Sequence, residues 1–300
     1  VAVVFLARGR GGGLSGASAF LDSYRAHAAG APHSLVLLRK GFDLAKPARH
    51  LEKLASQHDA RLIDLPDDGH DWGAYFRAAR LLTQEWLLFL NTHSRLVAGG
   101  WLADYRVAAE GKDVGVVGAT ASWEGPRHGI FGTALAQARQ VARNRTWMHG
   151  CIEAAQQLRN NYREGFRRRE VPRFPNSYIR SNAFLIRRDL FCAFAHRSAM
   201  PRDKQDAVLL EHGKKGLTRM LLAEGRQCLV VARGGAAFAP SEWDRSGTFR
   251  VPGQPGLLVS DNLTRLYMDS CAAKRRVAEI AAWGRPFTPA TSPCPDRPLA

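Results

Sequence analysis

Asp68-Gly-His-Asp-Trp-Gly-Ala-Tyr-Phe76 and, a short segment later, Trp86-Leu-Leu-Phe-Leu-Asn91-Thr-His93-Ser94 decide how this chain folds. The first stretch reads as a polar loop running into an amphipathic helix over 73–84. The second reads as a buried strand over 86–90 that ends in another polar loop. In an open α/β sheet, ligands bind beyond the carboxyl ends of the strands. Two polar loops brought together by one helix and one strand therefore form one wall of a cleft.

The surrounding pattern repeats the same alternation. Val1 to Ala7 is an apolar run of strand length, followed by the glycine-rich turn Arg8-Gly-Arg-Gly-Gly-Gly-Leu-Ser-Gly16 and a helix over 17–29. Strands are expected at 34–39, 60–65 and 114–118, with helices at 47–58 and 100–109. Strands alternating with helices at this spacing imply a mostly parallel, layered sheet. Further on, the pattern predicts a helix over 133–164, a strand over 179–186, and helical material over 206–224 broken near Gly213 to Gly216. A strand over 227–232 and a helix over 260–283 follow. Five prolines after position 285 mark an extended tail over 285–300.

Composition narrows the class. Three hundred residues with a 45% apolar fraction can bury a full core as one α/β domain or two joined halves. No run reaches the roughly 18 apolar residues of a spanning helix. The five cysteines are widely spaced and odd in number, which suggests free thiols and a reducing compartment. Forty-three Lys and Arg against 27 Asp and Glu give a formal charge of +16. That balance favours phosphate-bearing partners: a nucleotide, an anionic membrane surface or nucleic acid. Nucleic acid is the weakest of these, because the aromatics do not interleave with arginines as a single-strand platform requires. The densest basic patch, Arg159 to Arg169, suits a solvated helix or an anionic membrane as well as a substrate.

Several positions can carry chemistry. The glycine turn can wrap a phosphate with backbone amides, and Arg8 and Arg10 can clamp a diphosphate. It is not a P-loop, since Gly-Lys-Ser and Gly-Lys-Thr are absent, and Gly9-Arg-Gly-Gly-Gly-Leu lacks the dinucleotide fingerprint. Asp68 can take a base or ribose, and Asp71 can cap its helix or face a ligand. Asn91, His93 and Ser94 lie at a strand end with an open path to the cleft. Ser181 and Asn182 stand at the mouth of a later strand, where they can orient sugar hydroxyls. Glu211 is the first candidate for a general base and Asp206 the second.

In order and spacing these segments resemble the nucleotide-sugar glycosyltransferases of the GT-A fold, family 2-like. The likeness rests on the opening strand, Asp68-Gly-His-Asp-Trp-Gly-Ala-Tyr, Leu88-Phe-Leu-Asn-Thr-His-Ser, Trp101-Leu, Ser181-Asn-Ala-Phe-Leu-Ile-Arg-Arg-Asp and Gly216-Leu-Thr-Arg-Met-Leu-Leu-Ala-Glu-Gly, spread over about residues 1–235. It implies a single GT-A-like (Rossmann-like) mostly parallel central sheet flanked by helices. Residues 1–118 would be a nucleotide-sugar-binding half and 119–284 an acceptor-side half. Arg8, Arg10, Asp68, Asp71, Asn91, His93 and Ser94 would bind the donor; Ser181, Asn182 and Trp101 would line the acceptor side; Glu211 or Asp206 would act as base. Asn91 and His93 stand where the family's Asp-x-Asp holds a divalent Mn or Mg. A hard cation prefers oxygen ligands, so this departure puts metal use in question and leaves Arg8, Arg10 or Lys214 to stabilise the leaving group. The implied partners are a nucleoside diphosphate sugar and a glycan or lipid-linked acceptor, at a cytoplasmic or inner-membrane-face location. The alternative is a non-catalytic nucleotide-sugar or glycan-binding domain.

Overall fold

The computed structural model describes residues 1–9, 13–125 and 169–289. Arg10, the expected helix over 133–164, most of the basic patch and most of the proline-rich tail lie outside them.

Strand β1 (Ala2–Arg8) is followed by α1 (Gly13–Ala26), β2 (Ser34–Lys40), α2 (Ala45–Gln57), β3 (Arg61–Leu65), α3 (His70–Leu81) and β4 (Trp86–Leu90). A short β5 (Arg95–Leu96), α4 (Trp101–Ala108), β6 (Val114–Gly118) and β7 (Ala121–Ser122) complete the first part. The second part holds β8 (Tyr178–Ile179), β9 (Ala183–Arg187), α5 (Arg188–Arg197), α6 (Lys204–His212), α7 (Leu217–Ala223), β10 (Gln227–Val231) and β11 (Ala237–Phe238). It ends in β12 (Val259–Ser260), α8 (Asn262–Asp269) and α9 (Ala272–Trp283).

The central sheet has the order β11-β10-β6-β9-β4-β1-β2-β3. β1 pairs in parallel with β2 and β4, β2 with β3, and β6 with β10. β9 runs antiparallel between β4 and β6, and β11 is an antiparallel edge. The α/β class with a mostly parallel central sheet is thus as expected. β9, from the second part of the chain, is clamped between two strands of the first.

The alternating period of β1 explains the three layers. Ala2, Val4 and Leu6 face α3, α5 and α7 through one apolar cluster. Val3, Phe5 and Ala7 face α1, α2 and α4 through the other. A strand covered on both faces reads as an unbroken apolar run, and Ala2 to Ala7 are fully buried. Edge strand β3 instead exposes Arg61 and Asp64. Seven rings from four elements lock α3 onto the sheet: Trp72, Tyr75, Phe76, Phe89, Phe184, Phe191 and Phe194, with Phe89 and Phe191 centroids 4.8 Å apart. This rigid block fixes where the first turn of α3 points.

Four sequence expectations are corrected. The helix over 73–84 begins three residues earlier, because Gly69 and His70 take left-handed backbone angles (φ 67° and 49°) that turn the chain into it sooner. The strand over 179–186 is two strands in different sheets, separated by a turn at Ser181 and Asn182. The helix over 260–283 is two helices, because the chain leaves the helical region at Ser270 and Cys271. Cys271 is disulfide-bonded, while Cys192 and Cys228 are free; wide cysteine spacing does not exclude a disulfide. With it goes the cysteine argument for a reducing compartment. Among the described residues no helix is long and apolar enough to cross a membrane.

Candidate functional site at the carboxyl ends of the strands

The parallel strands β1, β2, β3, β4 and β6 all end at one edge, and two groups of polar residues gather there. The first comes from the ends of β1 and β2 and the loop into α3. Lys40 closes β2, is 1% exposed, and donates from Nζ to the carbonyls of Asp68 and His70 at 2.5 Å each. It thereby holds the 68–70 loop against the strand end. Arg8 closes β1 with its Nε 3.7 Å from Asp67. Asp68 is committed to Arg77, with a nitrogen–oxygen distance of 2.6 Å.

Asp71 lies in the first turn of α3 but does not cap it. The N-cap is Gly69, and no side chain closes the helix end. Burial raises the Asp71 pKa, Arg8, Lys40 and His70 pull it down, and the charge of Glu211 pushes it up again. Asp71 therefore feels the charges of Arg8, Lys40 and Glu211. One turn further along α3, the Tyr75 hydroxyl is fully buried and has no hydrogen-bond partner among the described residues. Its pKa is raised by burial, with further pushes from Asp71 and Glu211.

The second group is a continuous hydrogen-bond network. The Glu211 carboxylate accepts from the Ser181 amide (2.8 Å) and hydroxyl (3.0 Å), which fixes it at the mouth of β9. His212 stacks on Tyr178 with centroids 3.7 Å apart. Burial lowers the His212 pKa, opposed by Glu211 and Glu124, so its approach to Glu211 at 3.7 Å is that of a neutral ring. Arg180, beside Ser181, donates to Asp261 (2.5 Å) and Thr120 (3.1 Å). Thr120 donates to Asn182 Oδ1 (2.8 Å), and the Asn182 carbonyl accepts from the Asn91 amide (2.9 Å) and the Ser94 hydroxyl (2.9 Å). The loop after β4 and the turn before β9 are thus one hydrogen-bonded unit.

The expected site residues are not all brought together. Arg8 and Glu211 both act electrostatically on Asp71; Asn91, Ser94, Ser181 and Asn182 form the linked loops; Asp68 is tied up with Arg77. Asp206 is engaged with Arg202 in the first turn of α6, away from Glu211 at its other end. Trp101 is a correction. It is fully buried, donates its indole N–H to the His27 carbonyl (3.1 Å) and packs against His33, so it offers no face to an acceptor. Its run with Leu102 is the apolar face of α4.

At the expected metal position, Asn91 Oδ1 accepts from the His93 amide at 3.0 Å and lies 3.0 Å from the Ser94 hydroxyl. An oxygen turned onto donors of its own loop is not free for a cation unless that turn breaks, so Asn91 as placed does not fit as a ligand of Mn or Mg, which favour oxygen. Among the described residues no three His, Cys, Asp or Glu side chains gather as a metal site.

Sequence reasoning passed over Lys40, Tyr75 and Arg180. A lysine or arginine at a strand end, following an apolar run, was the available signal for Lys40 and Arg180. It also passed over the spacing Gly11-x-Gly13-x-x-Gly16. α1 starts at Gly13, and a Cβ on Gly16 would come 2.8 Å from the Thr92 carbonyl, so glycine there lets α1 approach the loop after β4. The acidic partner that a dinucleotide fold places after its second strand is replaced by Lys40.

The sequence matches no family model and no curated protein sequence. Its fold is similar to solved structures at low identity. A mannosyltransferase from Pyrobaculum calidifontis, in complex with GDP-Man and Mn2+, has 11% identity and a TM-score of 0.44 over 82% of this chain and 59% of that one. A glucosyl-3-phosphoglycerate synthase from Mycobacterium tuberculosis has 16% identity and a TM-score of 0.31 over 63% and 57%. S. aureus TarS has 14% identity and a TM-score of 0.31 over 39% and 20%. This chain thus spans between a fifth and three fifths of their lengths. Likenesses this distant carry no argument about activity, and the site is read from its own residues.

Proposed function

We propose that the protein transfers a sugar from a nucleoside diphosphate donor to a hydroxyl of a glycan or lipid-linked saccharide. The observation that carries this reading is that opposite charges act on Asp71 from two sides of one sheet edge: Arg8 at the end of β1, and Glu211, fixed by Ser181. A diphosphate needs cations and an acceptor hydroxyl needs a base, and Arg8 and Glu211 supply the two near Asp71.

In the proposed reaction the acceptor hydroxyl gives its proton to Glu211 as its oxygen bonds to the anomeric carbon. The bond from that carbon to the diphosphate breaks, and the electron pair leaves on the diphosphate. The developing charge falls beside Arg8, where a fixed cation lowers the barrier. Ser181 holds the Glu211 carboxylate in one rotamer, and Asn182 and the 91–94 loop supply polar groups for sugar hydroxyls. No step is routed through a metal. The formal charge of +16 supports peripheral contact with anionic membrane. The cytoplasmic location now rests on the nucleotide donor alone.

The test is release of nucleoside diphosphate from a panel of donor sugars with and without saccharide acceptors. Turnover is expected for at least one donor, and Glu211→Gln should lower kcat by about 10²–10⁴ while leaving donor affinity within about twofold. The second reading, a binding domain without turnover, is motivated by the missing carboxylates at 91 and 93. It expects donor binding, no release, and no effect of Glu211→Gln.

A further inference from the structure

A cavity of about 440 Å³ opens just past the 91–94 loop, between β5, β12 and α8, and away from Glu211. Its size is that of a small-molecule site. Three arginines, Arg95, Arg233 and Arg265, share its lining with a single carboxylate, Asp269. None of the three forms an ion pair among the described residues.

Two of these guanidinium groups are held in place by backbone carbonyls. Arg233 donates to Leu257 (2.9 Å) and Val97 (3.0 Å), leaving Nη1 unclaimed. Arg265 donates from Nη1 to the His93 carbonyl (3.1 Å) and the Ser260 hydroxyl (3.4 Å), leaving Nε and Nη2 unclaimed. Burial, and then the charge of Arg95, lower the Arg265 pKa, against the opposing charges of Asp261 and Asp269. Guanidinium forks gathered on one cavity without an ion-paired carboxylate among the described residues can take an oxyanion.

We propose that this cavity is a second ligand site, distinct from the Glu211 site, that binds a phosphate group. Arg95, Arg233 and Arg265 take the phosphate oxygens. The site does not depend on the glycosyl-transfer reading.

The experiment is calorimetric titration of the full chain with glucose 6-phosphate, methyl phosphate, inorganic phosphate and glucose. It is run with and without saturating uridine diphosphate, so that the cleft at Glu211 is filled in one arm. Glucose 6-phosphate, methyl phosphate and inorganic phosphate should each bind more tightly than glucose, in both arms. Arg95→Gln should weaken phosphate binding about tenfold or more, the scale of one charge-assisted hydrogen bond, while Arg8→Gln leaves it unchanged. Absence of heat with every probe overturns the site. So does equal affinity in Arg95→Gln, or loss of binding in Arg8→Gln. Glucose binding as tightly as the phosphates overturns the role of the arginines. Should Arg95→Gln fail to fold, phenylglyoxal modification of the wild type read by mass spectrometry decides instead. Protection of Arg95, Arg233 and Arg265 by glucose 6-phosphate supports the site, and unaltered modification overturns it.

Discussion

Replacing Arg180 with methionine should destabilise the protein by about 3–5 kcal/mol, the cost of leaving a buried charge without its partner. The magnitude follows from the surroundings. The side chains of Arg180 and Asp261 are 8% and 1% exposed, at 2.5 Å, so water cannot replace either partner. The guanidinium also lies 4.3 Å from the centre of the Phe249 ring and bonds to Thr120. Asp261 keeps its capping bond from the Thr264 amide (2.8 Å) in the variant, which softens the loss without removing the charge. Replacing Asp261 with asparagine as well neutralises the stranded carboxylate. The double variant should therefore be less destabilised than the sum of the singles, with a coupling of about 1–3 kcal/mol. Equilibrium urea unfolding of wild type, both singles and the double gives the cycle directly. A single Arg180→Met variant within 1 kcal/mol of wild type, or strict additivity, would refute the idea that this pair bolts the Ser181 turn to the C-terminal part of the chain.

His212 makes stability depend on pH. Its folded pKa lies below the ordinary 6.5 because of burial, so the unfolded chain takes up the proton first. Stability from this group is complete above pH 6.5 and falls as the pH drops below it, by up to about 1.4 kcal/mol per pH unit. Urea midpoints from pH 7.5 down to 5.5 should fall less steeply in His212→Phe, with His58, lowered in the same way, supplying part of what remains; an identical slope would count against it. Glu279 is fully buried and accepts from Tyr267 (2.6 Å), the amides of Phe287 (2.6 Å) and Thr288 (2.8 Å), and the Thr288 hydroxyl. Burial works to raise its pKa, but these bonds prevail and lower it. Glu279→Gln would set an amide donor against backbone donors and cost about 1–3 kcal/mol, read as a lower urea midpoint; an unchanged midpoint would show that residues 287–288 are held by other contacts.

The parallel core was legible because burial on both faces writes itself as an apolar run: Ala2 to Ala7 and Trp86 to Leu90 admit little else. The sheet edge where ligands bind followed from that direction alone. The network at Ser181 was only half visible. Ser181 and Glu211 could be picked out as polar residues near element ends, but their contact spans 30 positions, and nothing in local spacing encodes it. The Arg180–Asp261 pair spans 81. Trp101 misled because an aromatic followed by leucine looks the same on a binding surface and on a buried helix face. Asn91 misled for a related reason: its side chain has a ligand's chemistry, and only the coordinates reveal that the oxygen turns back onto its own loop.

The central claim is that a diphosphate sits beside Arg8 at the carboxyl ends of the strands, and calorimetry with nucleoside diphosphates tests it most directly. Uridine or guanosine diphosphate should bind the wild type, and Arg8→Gln should weaken that binding about tenfold or more. No binding of any nucleoside diphosphate, or equal affinity in the variant, would contradict it.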